Sequence, residues 1–157
     1  MSKKTIYKGT YCLIINLKND EDIKIGRLGN INFKKGYYVY VGSALNSLES
    51  RLKRHLSDDK KIFWHVDYLL NDKSADLVDI VYAVDDGKWE CSLASQLSNN
   101  GSEISKFGCS DCNCGSHLFR FDDLELTVLS CVNSYENLSL TPIMWSDGSN
   151  FESKYKK

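Results

Sequence analysis

The sequence contains little proline and no long apolar segment. Pro142 is the one proline among 157 residues, and no proline-rich or low-complexity linker divides the chain. No apolar run approaches the roughly 20 residues that span a bilayer. The apolar run at 11–15 is also shorter than the core of a signal peptide. We therefore expect a cytoplasmic protein that does not contact a membrane.

A strong net charge is also missing. The 20 Lys and Arg residues nearly balance the 21 Asp and Glu residues, which leaves a formal net charge of −1. Such a chain has no overall attraction for a polyanion, so a nucleic acid would have to bind a local patch. Residues 51–61 form one candidate patch, in which cations outnumber carboxylates: Arg51, Lys53, Arg54, Lys60 and Lys61 against Asp58 and Asp59. The neighbouring Trp64 offers a ring on which a base can stack.

What is present suits one well-packed domain. Hydrophobic residues make up 42% of the chain and charged residues 26%, which is ordinary for a globular domain of this length. We predict a single domain over residues 1–157, with a core at about 9–121 and an extension at 122–157 that ends in a polar tail. Because cytosolic thiols are kept reduced, we expect the six cysteines to be core thiols, metal ligands or reactive groups rather than disulfides.

The order of predicted elements indicates an α+β fold. Apolar, β-branched and aromatic residues predict strands at "TYCLIINL", "YYVYVGS" and "ADLVDIVYAVD". The spacing of apolar residues predicts helices at "LNSLESRLKRHL" and "KWECSLASQLS", and a helix or a strand at "FWHVDYLLN". One or two C-terminal strands are expected within "SHLFRFDDLELTVLSCV". We predict a small antiparallel β-sheet with a three-stranded core, flanked by helices.

The strand "YYVYVGS" and the helix after it carry polar groups toward one place. Tyr38 and Tyr40 share one face of the strand because side chains alternate along it. On the helix, Arg51 and His55 stand four residues apart and therefore face the same side. A guanidinium together with tyrosine hydroxyls suits a phosphodiester, because arginine forks onto phosphate oxygens. Core tyrosines beside a solvated cationic helix explain the same residues, and the sequence leaves both interpretations open.

The arrangement of these motifs resembles the GIY-YIG nuclease superfamily. "GTY" at 9–11, "YVG" at 40–42 and "SLESRLKRH" at 47–55 match its two tyrosine triplets and its R-x-x-x-H element. Within the superfamily, the chain resembles a prokaryotic branch that also occurs fused to endonuclease III-type repair enzymes. The shared segments are "GYYVYVGSA", "RHL", "WHVDYLL", "EC" and "FGCSDCNCGSHLF".

The resemblance implies a GIY-YIG-like fold with one departure. Tyr11 and Tyr40 are 29 positions apart, farther than the two triplets stand in ordinary members of the superfamily. We therefore expect an inserted β-ribbon at residues 18–36. Such a ribbon would either block the site or reshape it.

The resemblance also implies catalytic roles. Tyr11 would activate or orient the attacking water, with support from Tyr40. Arg51 would stabilise charge on the scissile phosphate, His55 would form a hydrogen bond within the site, and Glu90 would hold one Mg²⁺ or Mn²⁺ ion. A positioned water, a cation and a carboxylate-bound metal are what phosphodiester hydrolysis needs. Glu90 at the start of a helix is also explained by the helix dipole.

A second group of residues is expected to touch the substrate. Its members lie beside the second tyrosine triplet or in the basic segment: Gly42, Ser43, Lys53, Arg54 and His65. For His65, a structural role in a short helix and a contact to a phosphate or a base are equally open.

The segment "FGCSDCNCGSH" offers a second kind of site. Cys109, Cys112, Cys114 and His117 would provide four soft ligands for a tetrahedral zinc ion. Alternatively, Cys112 and Cys114 are small packed residues, and Asp111 and His117 pair elsewhere. A third interpretation places Asp111 and His117 beside the nuclease cleft as extra polar or catalytic groups. The sequence leaves these three interpretations open.

The leading functional hypothesis is a metal-dependent endonuclease that hydrolyses phosphodiester bonds in DNA and acts in DNA repair with a repair protein as partner. Its alternatives are a non-catalytic nucleic-acid-binding module and a zinc-stabilised interaction domain. Glu90 favours the enzyme, because a pure binder has no need of a carboxylate beside a phosphate. The small net charge and the inserted ribbon favour the binding module.

Overall fold

A computed structural model describes residues 7–57, 61–108 and 115–146 of the chain. Within these ranges, eight strands and four α-helices form a mixed α+β structure. The strands are β1 Gly9–Leu17, β2 Glu21–Lys24, β3 Asn30–Phe33, β4 Gly36–Ala44, β5 Ala75–Val84, β6 Ser102–Glu103, β7 Leu118–Phe121 and β8 Ile143–Met144. The helices are α1 Leu48–Leu56, α2 His65–Leu70, α3 Glu90–Leu97 and α4 Leu124–Asn137.

Six of the strands form one sheet in the order β6-β7-β4-β1-β5-β8, in which each pairing is antiparallel. The three long strands β4, β1 and β5 form its centre. Alternation along the strands sends Leu13 and Tyr40 to one face and Ile14 and Val39 to the other. The predicted α+β fold with an antiparallel sheet is confirmed, and three short strands extend the sheet at its edges.

Helices cover both faces of this sheet. Leu52 of α1 and Val66 of α2 are buried on the Tyr40 face. The segment "FWHVDYLLN", for which the sequence allowed a helix or a strand, contains the helix α2. Leu93 of α3 and Cys131 of α4 are buried on the opposite face. None of the helices in the described ranges is long and apolar enough to cross a membrane. Side chains from both helical layers can meet where the strands end.

The strands β2 and β3 form the separate two-stranded ribbon that the wide spacing of the tyrosine triplets predicts. Ile23 and Phe33 of the ribbon are buried in the same cluster as Tyr40. The ring of Phe33 lies 6.3 Å from the ring of Phe107, which lies 6.2 Å from the ring of Tyr40. The ribbon therefore supports the segment that follows β6.

The segment after β7 differs from the prediction, because "LELTVLSCVNSYEN" forms the helix α4 and not a strand. Asp123 caps this helix, and its side chain accepts a hydrogen bond from Leu126 N at 2.7 Å. The buried face follows helical spacing: Thr127, Ser130, Cys131, Ser134 and Tyr135. Small polar residues on that face hide its apolar period, while Leu, Thr and Val in sequence favour a strand.

The cysteines agree with the prediction in part. Cys12 and Cys131 are free thiols buried in one cluster, as predicted for core thiols. Cys91 is disulfide-bonded, whereas the sequence predicts reduced cysteines. The prediction was wrong for Cys91, because the redox state expected of a cellular compartment does not determine whether an individual thiol forms a disulfide.

Candidate active site

A cleft of about 310 Å³ opens where β1 begins and β4 ends. The four side chains with the main predicted catalytic roles all line it: Tyr11, Tyr40, Arg51 and Glu90. Three of the predicted substrate contacts line it as well: Gly42, Ser43 and His65. No residue of the β2–β3 ribbon lines this cleft, so the described part of the ribbon does not block it.

Tyr11 is held by His55 and by the absence of a side chain at Gly42. Tyr11 Oη lies 2.9 Å from His55 Nε2, and both side chains are buried. Gly42 stands opposite Tyr11 in the antiparallel register, and a Cβ there would lie 2.4 Å from Tyr11 Oη. Gly42 therefore makes room for the tyrosine ring beside β4. His55 does not line the cleft itself, so it acts on the cleft through Tyr11.

Both tyrosine hydroxyls keep their protons at neutral pH. Burial raises the pKa of Tyr11 to about 12, although Arg51 acts in the opposite direction. Burial also raises the pKa of Tyr40, and the neighbouring Tyr11 and Glu90 add to this increase. A neutral hydroxyl both donates and accepts hydrogen bonds. The two tyrosines can therefore orient a water molecule or a phosphate oxygen in the cleft.

Arg51 supplies positive charge to the cleft. Its Nη1 donates to the Ser43 carbonyl oxygen at 2.9 Å, and its Cζ lies 4.4 Å from the centroid of the Trp64 ring. No carboxylate in the described part of the chain forms an ion pair with Arg51. A guanidinium that is positioned but not neutralised is suited to an anionic ligand.

Glu90 begins α3 and reaches the cleft from the opposite helical layer. Its Oε1 accepts a hydrogen bond from Ser43 Oγ at 2.7 Å, and its Oε2 lies 3.1 Å from His117 Nδ1. Burial lowers the pKa of His117, although Glu90 opposes this effect. The carboxylate oxygen can only accept, so the His117 Nδ1–H group donates this hydrogen bond. Ser43 and His117 therefore hold both oxygens of the Glu90 carboxylate.

His65 lies at the start of α2 and supports a loop beside the cleft. Its Nδ1 accepts a hydrogen bond from Gly108 N at 2.9 Å, and burial lowers its pKa. Gly108 has a φ of 73°, a conformation that favours glycine. His117 N donates to the Phe107 carbonyl oxygen at 2.8 Å in the same loop. His65 thus lines the cleft and also supports the loop that brings His117 to Glu90.

The other two predicted substrate contacts, Arg54 and Lys53, do not line the cleft. Arg54 donates to both oxygens of the buried Asp67 carboxylate, at 3.1 and 2.9 Å. Lys53 forms an ion pair with Glu49 at 3.3 Å on the surface of α1. Contacts from these two residues to DNA remain predictions. Residues 58–60 of the predicted basic patch lie outside the described residues.

Asp67 organises one side of the cleft, and the sequence analysis missed it. Asp67 is fully buried, and its Oδ2 accepts hydrogen bonds from the backbone N–H groups of Phe63 and Trp64, each at 2.9 Å. Burial alone would raise its pKa, but the bonds from Arg54 and the backbone bring the pKa below its ordinary value. An acidic residue three positions after a helix N-cap is the sequence signal that could have identified this role.

The residue in the cleft best suited to a metal ion is Glu90. No group of three or more His, Cys, Asp or Glu side chains in the described ranges is arranged to bind one. Mg²⁺ commonly takes one or two protein carboxylates and completes its shell with water and substrate phosphates. One carboxylate in an open cleft fits Mg²⁺ or Mn²⁺ bound in that way. Among the residues of the predicted zinc loop, Cys109, Asp111, Cys112 and Cys114 lie outside the described residues, whereas His117 contacts Glu90.

Fold and site together define an α+β protein with a polar cleft at the ends of two central antiparallel strands. Residues 10–140 match the sequence profile of a family described as a domain of unknown function, DUF123, and the chain belongs to this family. The match extends from β1 to α4 and includes the cleft residues named above. No curated protein and no solved structure matches the chain.

Proposed function

We propose that this chain is a metal-dependent DNA endonuclease of the GIY-YIG type. The geometry that supports this function best is the convergence of Tyr11, Tyr40 and Arg51 with Glu90 in one cleft. The tyrosine triplets and the R-x-x-x-H element of α1 support the superfamily assignment. A place in DNA repair, with a repair protein as partner, is suggested by the resemblance alone.

Each residue has a defined part in the proposed hydrolysis. The water oxygen attacks phosphorus, the bond to the leaving sugar oxygen breaks, and that oxygen takes up a proton from solvent. Tyr11 Oη orients the water and takes its proton, while the proton of Tyr11 passes to His55 Nε2, 2.9 Å away. Tyr40 supports the water or a phosphate oxygen from the adjacent strand. Arg51 stabilises the charge that develops on the phosphate oxygens.

Glu90 is the residue that would hold a divalent ion. Ser43 Oγ and His117 Nδ1 already fix its two carboxylate oxygens, so the ligand is oriented before an ion binds. A bound Mg²⁺ or Mn²⁺ would neutralise charge on the phosphate and on the leaving oxygen.

Substitution of Glu90 separates an enzyme from a binding module. The purified chain is incubated with single-stranded, duplex, nicked and branched DNA in Mg²⁺, in Mn²⁺ or in a chelator. We expect metal-dependent cleavage that Glu90→Gln lowers by about 10² or more, as loss of one preorganised electrostatic group does. DNA affinity should be kept or should rise, because a negative charge beside the phosphate is removed. Arg51→Ala should weaken cleavage and binding alike.

The matched control is Glu125→Gln. Glu125 lies in the first turn of α4 as Glu90 does in α3, so both variants lose a similar interaction with a helix dipole. Glu125→Gln should cleave like the wild type. Equal cleavage by Glu90→Gln and the wild type would show that Glu90 carries no chemistry. Binding without cleavage under every metal condition would favour the non-catalytic module, and absence of binding would reject a DNA function.

A further inference from the structure

An exposed aromatic ring lies at the edge of the cleft. Eight large apolar side chains are exposed among the described residues, and Phe63 is the one of them that lines the cleft. Phe63 is 75% exposed, compared with 53% for Leu129 on α4. Exposed apolar residues are common on protein surfaces, so exposure alone assigns no role. Phe63 differs from the other exposed apolar residues because it lines the same cleft as Arg51 and Trp64.

Hydrogen bonds to Asp67 and Arg54 hold the backbone around Phe63 in place. Phe63 N donates to the buried Asp67 carboxylate at 2.9 Å, and Trp64 N donates to the same oxygen. Arg54 Nη2 donates to the Lys61 carbonyl oxygen at 2.8 Å. A ring presented from an anchored backbone can be covered by a ligand without the cost of ordering a mobile loop.

The ring of Trp64 is already in contact with two cations. The Cζ atoms of Arg51 and Arg54 lie 4.4 and 4.3 Å from its centroid. The ring of Phe63 meets Trp64 edge to face, with centroids 5.1 Å apart. The aromatic surface that is open to solvent at this edge of the cleft therefore belongs mainly to Phe63. Phe63, and not Trp64, is the better candidate for stacking on a base.

We propose that Phe63 stacks on an unpaired base of a DNA strand whose phosphate lies against Arg51. This inference rests on the proposed nuclease function and names its substrate class, which is DNA with a base outside the duplex stack. Every base has a π-face, so stacking on phenylalanine needs no particular sequence. The bases of an intact duplex are already stacked, and removing one costs a few kcal/mol. Single strands and strands with flaps or gaps offer such a base directly.

The test measures binding in a protein that does not cleave. Fluorescence anisotropy compares Glu90→Gln with Glu90→Gln/Phe63→Ala on a single-stranded oligonucleotide, on an intact duplex and on an oligonucleotide made only of abasic sites. Stacking contributes about 1–3 kcal/mol per base, so Phe63→Ala should weaken single-strand binding by about 5-fold to 150-fold. Binding to the duplex and to the abasic strand should not change. Phe63→Trp should bind the single strand like the parent protein.

Leu129→Ala is the matched control, because it removes another exposed apolar side chain that does not line the cleft. It should bind all three DNAs like the parent. Equal single-strand affinity with and without Phe63, in a protein whose wild type cleaves DNA through Glu90, would overturn the stacking role and leave the nuclease intact. A loss that is the same on the duplex and on the abasic strand would also overturn it. Failure of the wild type to bind or cleave any DNA would overturn both proposals.

Discussion

At the scale of single residues, the cleft depends on a glycine, Gly42, whose lack of a side chain leaves room for Tyr11. The ring of Tyr11 is 2% exposed and lies where a side chain of Gly42 would otherwise stand. The same ring reaches His55 through its hydroxyl group. A side chain at position 42 would therefore displace the Tyr11 ring and, with it, the contact between Tyr11 and His55.

Gly42→Ala should destabilise the protein. The new Cβ would lie 2.4 Å from Tyr11 Oη, so either the ring or the strand must move. Overpacking of a buried site costs about 1–3 kcal/mol of unfolding free energy. We expect the midpoint of denaturant unfolding to fall by a corresponding amount.

The cause is tested in a Tyr11→Ala background. When the ring is absent, Gly42→Ala should cost much less, and the difference is the coupling energy of a double-mutant cycle. Equal costs in the two backgrounds would attribute the loss to the conformation of β4 and not to a clash with Tyr11.

At the scale of elements, α4 shows that a cap can decide between a helix and a strand. The side chain of Asp123 satisfies the N–H of Leu126, which the first turn of a helix leaves without a partner in the helix. The buried Tyr135 then joins this helix to β1, because its hydroxyl lies 3.1 Å from Thr10 Oγ1. A local propensity for strand is overcome by these two contacts.

Asp123→Ala should lower the free energy of unfolding by about 1 kcal/mol, within the usual range of about 0.5–2 for an N-cap. Asp123→Asn should keep most of the stability, since asparagine caps helices as well as aspartate does. Thermal and denaturant unfolding measure both variants.

The neighbouring Asp122→Ala is the control for charge. Asp122 pairs with Arg120 on the surface at 2.9 Å, an interaction that contributes little to stability. If Asp122→Ala and Asp123→Ala destabilise the protein equally, the cap does not account for α4.

At the scale of the whole molecule, charge is almost balanced and many cations are paired. The formal net charge is −1, and the paired cations among the described residues include Lys18, Lys53, Arg54 and Arg120. Arg51 is the cation that the cleft presents without a described carboxylate partner. A bound strand should therefore release few counterions.

We expect DNA binding to depend weakly on salt. Each neutralised phosphate of a single strand contributes about 0.7 to the slope of log affinity against log salt concentration, so a slope of about 2 or less is expected. Arg51→Ala should reduce the slope by about one such contribution. Anisotropy titrations of the Glu90→Gln protein at several salt concentrations measure it.

Arg27→Ala serves as the comparison, because Arg27 lies in the segment between β2 and β3 and does not line the cleft. It should leave the slope unchanged. A slope of about 5 or more would indicate an extended basic surface and would contradict DNA binding in which Arg51 makes the main phosphate contact.

The sequence by itself determined the elements that carry the motifs. Alternation of side chains placed Tyr38 and Tyr40 on one face of β4, and the three- and four-residue spacing of leucines predicted α1. The unusual separation of the tyrosine triplets predicted the ribbon. Period and spacing are local properties of the chain, so they can be read without knowing the fold.

Only the tertiary structure decided how the site is held together. Ser43 and Glu90 are 47 positions apart, and the hydrogen bond between them exists because β4 ends and α3 begins at the same cleft. His117 reaches Glu90 through a loop that His65 supports. Neither contact leaves a periodic trace in the sequence, since each depends on where two separate elements end in space. The burial of Asp67 and the exposure of Phe63 follow from the same packing, so sequence spacing could not assign them.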